Sequence, residues 1–197
     1  MYQPKLFTQL EHLTLDRRRL LTGTGKVTLS AGAVALLTGC SGLAGDAEAK
    51  SDTMADDANI LNSALGAERE AVAAYQVGAE SGLLSPGVLQ VAVKFQDHHK
   101  QHADVPAKTI KQLGGTPDTP MTMYDFPTDQ LKNEADVLRF AAGLEKGAVS
   151  AYLGAVPLFG NRDLAKAAAS ILGDEAMHWA VLRGALGEDP VPVAFVS

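Results

Sequence analysis

Two stretches of the chain read alike: Glu68-Arg69-Glu70-Ala71-Val72-Ala73-Ala74-Tyr75 and Glu145-Lys146-Gly147-Ala148-Val149-Ser150-Ala151-Tyr152. In each, a glutamate precedes a tyrosine by seven positions. Seven residues make two helical turns, so both side chains fall on one helix face. That face is otherwise apolar, with Leu61, Leu65, Val72 and Ala79 around the first pair and Leu138, Ala141 and Ala148 around the second. A histidine follows each glutamate at nearly the same remove, His102 after 34 residues and His178 after 33. Three positions before each histidine stands another potential ligand, His99 in the first half and Glu175 in the second.

Outward from these stretches, the pattern predicts four helices. The first runs over 53–80, opened by Thr53 with Asp56 and Asp57 as cap and first-turn charge, and closed by Ser81-Gly82. The second, over 86–113, carries Val88, Ala92, Phe95, His99, His102, Pro106, Ile110 and Leu113 on its stripe. Pro106 predicts a kink there, and Gly114-Gly115-Thr116-Pro117 a firm stop. A turn-rich loop over 118–128 is long enough to cross a bundle. The third helix is expected over 129–155. The fourth, over 161–186, has Leu164, Ala168, Ile171, Glu175, His178, Leu182 and Leu186 on its stripe. All four stripes keep a seven-residue rhythm, which points to left-handed bundle packing. The expected fold is therefore all-α, a four-helix bundle of two helical hairpins joined by a long crossover, the ferritin-like topology.

Glu68, His99, His102, Glu145, Glu175 and His178 all stand on stripes that should otherwise be Leu, Ile and Ala. An unpaired buried charge is too costly to keep. Six ionisable groups converging in one core call for a cation among them, and two divalent ions suit carboxylates and imidazoles together. Positions three apart lie side by side on a helix, so each pair can reach one metal or clasp two. His98 leaves an ambiguity, because it too lies one turn from His102. The stripe favours His99. Tyr75 and Tyr152 are core residues whose phenols can stand beside the ligands as donors.

These residues resemble the ferritin-like di-metal carboxylate superfamily over about 53–186. More narrowly, they are similar to small ferritin-like domain proteins of bacterial envelopes and of the desiccation-related type. The likeness rests on the two Glu-to-Tyr spacings, on Glu175-x-x-His178, and on the Gly-Gly-Thr-Pro close of the second helix. It implies that helices one and three each supply a glutamate and helices two and four each a Glu-x-x-His. The matching positions are Glu68, His102, Glu145, Glu175 and His178. His99 departs from the pattern by standing where the family has a second bridging glutamate. With three carboxylates and three imidazoles, two ions of Fe or Mn remain the implied cofactor, and a single Zn is the alternative. The implied activity is an oxidoreductase acting on O2, peroxide or Fe(II). Glu68 and Glu145 would be terminal ligands and Glu175 a bridge. The competing expectation is a non-enzymatic metal-binding or stress-related lipoprotein with a degraded site.

The ends of the chain bear on location. Asp16-Arg17-Arg18-Arg19-Leu20-Leu21 leads into an apolar stretch over 27–37, too short for the ~20 residues of a membrane span but suited to an export signal. Arg17 and Arg18 resemble a twin-arginine signal, and Leu37-Thr38-Gly39-Cys40 resembles a lipobox acylated at Cys40. Cleavage after Ala49 is the non-lipidated alternative. Residues 1–40 are thus read as the signal, 41–52 as a flexible tether, 53–187 as the bundle and 188–197 as a tail. The expected location is periplasmic or membrane-anchored through Cys40. Cys40 is the single cysteine, so no disulfide forms within the chain. From Ser41 onward, 12 Lys and Arg stand against 21 Asp and Glu, a net charge of −9. That surface repels phosphate backbones and argues against nucleic-acid binding. No nucleophile elbow or Gly-rich phosphate loop is present, so hydrolase and nucleotide-binding readings have no support. Metal ions and small oxidants are the expected partners, with a homodimer left open.

Overall fold

Where the apolar stripes lie, four helices form: α1 (Asp46–Glu80), α2 (Pro86–Gln112), α3 (Glu134–Ala155) and α4 (Arg162–Ala185). Single 3-10 turns occupy Thr128–Gln130 and Val156–Leu158. The computed structural model describes residues 46–196, and the expected export signal with Arg17, Arg18 and Cys40 lies outside the described residues. No described helix is long and apolar enough to cross a membrane.

The hairpins α1–α2 and α3–α4 are the principal pairings, with α1 also packed on α3. Contacts between elements set the directions. Tyr75 of α1 meets Glu145 of α3, while Glu68 meets Tyr152. The rising number on one helix thus pairs with the falling number on the other, so α1 and α3 are antiparallel. α2 and α3 consequently begin at the same end, where the Ser85 amide at the α2 N-cap donates to the Glu134 carboxylate. The chain must therefore return the length of the bundle between them. It does so along α1: Asn62 donates to the Thr116 carbonyl at 3.3 Å and accepts from the Asp118 amide at 2.9 Å, and Arg69 donates to the Asp118 carbonyl.

α2 and α4 end alike. Gly114 (φ 81°) and Gly187 (φ 73°) take the left-handed conformation that lets the chain double back. The next amides, of Gly115 and Glu188, return to the carbonyls of Ile110 and Arg183 at 2.9 and 3.0 Å. The apolar core divides into two clusters, with Tyr75, Ala92, Phe95, Leu138 and Leu182 toward one end and Leu61, Leu65 and Ile110 toward the other. The polar stripe residues lie between them.

Two boundaries and one side chain differ from the sequence expectation. α1 starts at Asp46, seven residues before Thr53, and takes up most of the stretch expected to be a tether. Ala47, Glu48, Ala49 and Lys50 are strong helix formers and carry it back. α3 starts at Glu134 rather than near Asp129, because the Asn133 side chain accepts from the Asp136 amide at 3.0 Å and sets the N-terminus there. Asp57 is not a solvated first-turn charge. It is buried inside α1 and accepts from the amides of Gly160 at 2.8 Å and Asn161 at 3.0 Å. The α4 start is thereby pinned to α1, and a side chain at Gly160 would run into Thr53 at 2.1 Å. Asp57→Ala should lower stability by about 2 kcal/mol, since a charged acceptor for two amides is lost. Urea unfolding at matched metal content measures it.

Candidate metal centre

Glu68 on α1, His99 and His102 on α2, Glu145 on α3, and Glu175 and His178 on α4 converge at mid-bundle. Of the six, all but His102 are buried to 2% exposure or less, and His102 is only partly accessible. Their ligand atoms fall into two sets, each lying within 4.8 Å. One set is Glu68, His99, His102 and Glu175; the other is His99, Glu145, Glu175 and His178. Glu175 and His99 belong to both, so the two positions are adjacent and share these side chains. The structure thus brings together all six residues that the sequence singles out.

Five buried atoms here lack an aligned hydrogen-bond partner: His102 Nδ1, His178 Nδ1, Glu145 Oε2 and both oxygens of Glu175. His102 Nδ1 does approach Glu175 Oε1 to 2.8 Å, but out of line for a ring N–H bond. Buried polar atoms are normally satisfied. Imidazole nitrogens and carboxylate oxygens without aligned partners, gathered into two sets, are what two bound cations require, and this donor set fits them.

His99 occupies the middle. Its Nδ1 is 2.9 Å from Glu68 Oε2 and its Nε2 is 3.2 Å from Glu145 Oε1. A neutral imidazole has one donor and one acceptor, so bonding two carboxylates requires both nitrogens to be protonated. Burial alone lowers the His99 imidazole, but Glu145 and Glu68 outweigh it and raise it to about 10. His102 and His178 follow the same logic: burial opposes the charge, the facing glutamates overcome it, and each rises to about 9. Among the carboxyls, burial works against Glu68 and Glu145, yet their histidine partners hold both below the ordinary range. Glu175 is pushed up, first by burial and further by Glu145, against the pull of His102 and His178. In the metal-free protein three imidazolium groups therefore stand in for cations.

The tyrosines cross over. Tyr75 of α1 donates to Glu145 of α3, and Tyr152 of α3 donates to Glu68 of α1 at 2.5 Å. Burial, reinforced by the charge of these glutamates, pushes both phenols up, so they remain neutral donors. Each tyrosine orients the opposite helix's glutamate, not its own.

Asp174 was not distinguished in the sequence. Its Oδ2 lies 3.3 Å from His102 Nε2 and 3.2 Å from His178 Nε2, with His98 Nδ1 at 2.9 Å. A carboxylate on the outer nitrogen leaves the inner Nδ1 free to face the centre and orients the ring. His98 Nδ1 is also 2.9 Å from His178 Nε2, and His98 is half-buried, on the outer side of the cluster. The signal was present: Asp174 precedes His178 by four positions, as His98 precedes His102, so a second helix face runs alongside the first.

Solved structures share this architecture. A conserved hypothetical protein, rv2844, from Mycobacterium tuberculosis aligns with a TM-score of 0.63 at 24% identity, over 73% of this chain and 99% of that one. A ferritin-like, diiron-carboxylate protein from Bacillus anthracis str. Ames aligns with a TM-score of 0.55 at 24% identity, over 68% and 97%. The bacterioferritin of Desulfovibrio desulfuricans, described with its diiron site in different catalytic states, gives 0.63 at 20% identity, over 73% and 84%. At these identities the likeness shows the fold. No curated protein matches the sequence. The ferritin-like domain family matches residues 56–188, well over half of the chain. The chain belongs to the ferritin-like domain family.

Proposed function

We propose that the chain is a di-metal oxidoreductase, with iron the favoured metal, acting on O2, peroxide or Fe(II). The observation that carries this is the pair of adjacent ligand sets sharing His99 and Glu175, with five buried donor atoms lacking an aligned hydrogen-bond partner. Two of the structures that share its fold are described as diiron proteins, which supports iron over manganese or zinc. Glu68 and His102 would hold one ion, Glu145 and His178 the other, with Glu175 between them. Bound there, a redox-active pair supplies electrons to a small oxidant. The chain's own part is to exclude water, orient ligands through Tyr75, Tyr152 and Asp174, and keep both phenols neutral.

The reading includes export by the twin-arginine route and anchoring through Cys40. Its support is the order Arg17, Arg18, apolar stretch, Leu37-Thr38-Gly39-Cys40. Such a route carries folded proteins, so metals can be loaded before translocation.

One observation favours a second reading. His99 already spans Glu68 and Glu145 as an internal cation, so the bundle can stand without metal as a structural or stress-related envelope protein. Metal analysis separates the two. Full-length protein from cells supplied with iron, manganese and zinc should carry about two ions per chain, mostly iron. Glu68→Ala and Glu145→Ala should each lose at least one while keeping native helicity. A stable, metal-free wild type sinks the oxidoreductase reading. His99→Glu should tighten metal binding by about tenfold or more, because it adds an anionic ligand between the two positions. Competition against a chelator reads this directly.

The pH dependence of the metal-free protein follows from the shifted groups. Stability from the raised imidazoles is complete below their ordinary value of 6.5 and disappears as pH rises through about 9 to 10. Stability from the lowered carboxyls of Glu68 and Glu145 is complete above their ordinary 4.5 and fades as pH falls through their depressed values. Thermal unfolding of the metal-free chain should peak between these ordinary values and decline toward pH 10. Metal affinity should rise over the same alkaline range as the imidazolium protons leave. A metal-free melting temperature that climbs between pH 7 and 10 would contradict the assignment.

A further inference from the structure

Beside the polar centre, toward the end of the bundle where α2 and α3 begin, lies a cavity of about 280 Å³. All four helices contribute to its walls, which include Val88, Leu138, Ala141 and Leu182, with Tyr75 on the side of the metal centre. Apart from Tyr75 and Ser85, whose hydroxyls are its polar side-chain groups, the lining is apolar. The Tyr75 hydroxyl is already engaged with Glu145. Ser85, Gly87 and Val181 are exposed and mark the mouth. The space is roughly twice the ~150 Å³ of an engineered apolar cavity that stays dry and takes up benzene. By that scale it holds about ten to twelve carbon atoms.

We propose that this cavity binds the hydrocarbon tail of a small amphiphile, with its polar head at the Ser85 mouth and its tail end toward Tyr75. Water gains too few hydrogen bonds inside to fill the space, and leaving it empty forfeits packing on four helices. Walls from four helices leave no width for a helix of a second copy, whose diameter is about 10 Å. Three features fit a chain rather than a compact polar molecule. The polar side-chain group outside the metal centre, Ser85, lies at the mouth, the walls beyond it are apolar, and that end opens to water. The lining runs from Val137 to Leu144 along α3, two turns or about 10 Å of rise, so the space is elongated along the bundle. Nothing in this site needs the metals to be bound, and its failure would leave the metal assignment untouched.

Trp179, the single tryptophan, packs against the cluster that surrounds the cavity and serves as a reporter. The full chain, metal-free and metal-loaded, is titrated with neutral 1-alkanols from butanol to dodecanol, since the Glu134 carboxylate at Ser85 would repel an anionic head, while Trp179 emission is followed. Saturable binding of one molecule per chain is expected. Affinity should rise about fourfold per added methylene, as burying each in an apolar space predicts, and level off near twelve carbons. Ala141→Phe fills the cavity and should weaken decanol by about fifteenfold or more, the worth of two methylenes. Ala92→Leu, a smaller intrusion from α2, should weaken it severalfold. No saturable response, an affinity indifferent to chain length, or undiminished binding in both variants with native helicity each overturns the proposal. So does a change from dimer to monomer in the variants without ligand binding, which would assign the space to contact between copies. If Ala141→Phe fails to fold, the chain-length series decides on wild type alone.

Discussion

Three glutamates, Glu68, Glu145 and Glu175, are sunk into the middle of an otherwise apolar bundle, and the structure depends on what neutralises them. Buried carboxylates repel one another across a few ångströms and have lost the water that would screen them. Two remedies coexist here. Imidazoles on α2 and α4 face the carboxyls closely enough to stay protonated at neutral pH. The inner nitrogens of His102 and His178 and the oxygens of Glu175 are nonetheless left without aligned partners, an arrangement that hydrogen bonds alone do not complete. The cluster thus carries its own counter-charges and still leaves atoms that a bound cation would complete.

The two halves of the chain solve the problem jointly. Glu68 and Glu145 each receive their phenol from the other half, so the centre exists only when α1 lies antiparallel to α3. That direction obliges the segment between the hairpins to travel back along the bundle, where Asn62 and Arg69 hold it. Asp57 does a related task at the far end by capping the start of α4 from within α1. Polar side chains, and not the apolar stripes, therefore carry much of the information about which helix lies beside which.

Much of this was legible in the residues. Apolar stripes at helical spacing marked the four helices and the inward side of each, and the Glu-x-x-His and Glu-to-Tyr spacings picked out the ligand candidates. The less legible parts have a common cause. Asp57 reads as a first-turn charge because its partners lie 103 and 104 residues away, and Asp174, although four positions before His178, also meets His98 from 76 residues away. The early start of α1 was hidden by a reading of Ala47–Lys50 as linker, although its propensity was helical. At α3 the Asn133 cap prevailed over a start at Asp129, where the chain makes only the single turn Thr128–Gln130. The cavity left no trace at all, since small and branched apolar residues look the same in sequence whether they interlock or fall short.

The sequence by itself determined what depends on neighbours along the chain: helix periodicity, the glycine stop of α2, and which side of each helix carries the candidate ligands. Only the tertiary structure decided what depends on register between helices. It placed His99 between Glu68 and Glu145 while leaving His98 at the rim beside Asp174. Adjacent residues on a helix point about 100° apart, so chain position separates these two histidines by direction but not by partner. The partner is set by how far α1, α3 and α4 slide along α2, and that is decided by packing and by the crossed Tyr–Glu bonds.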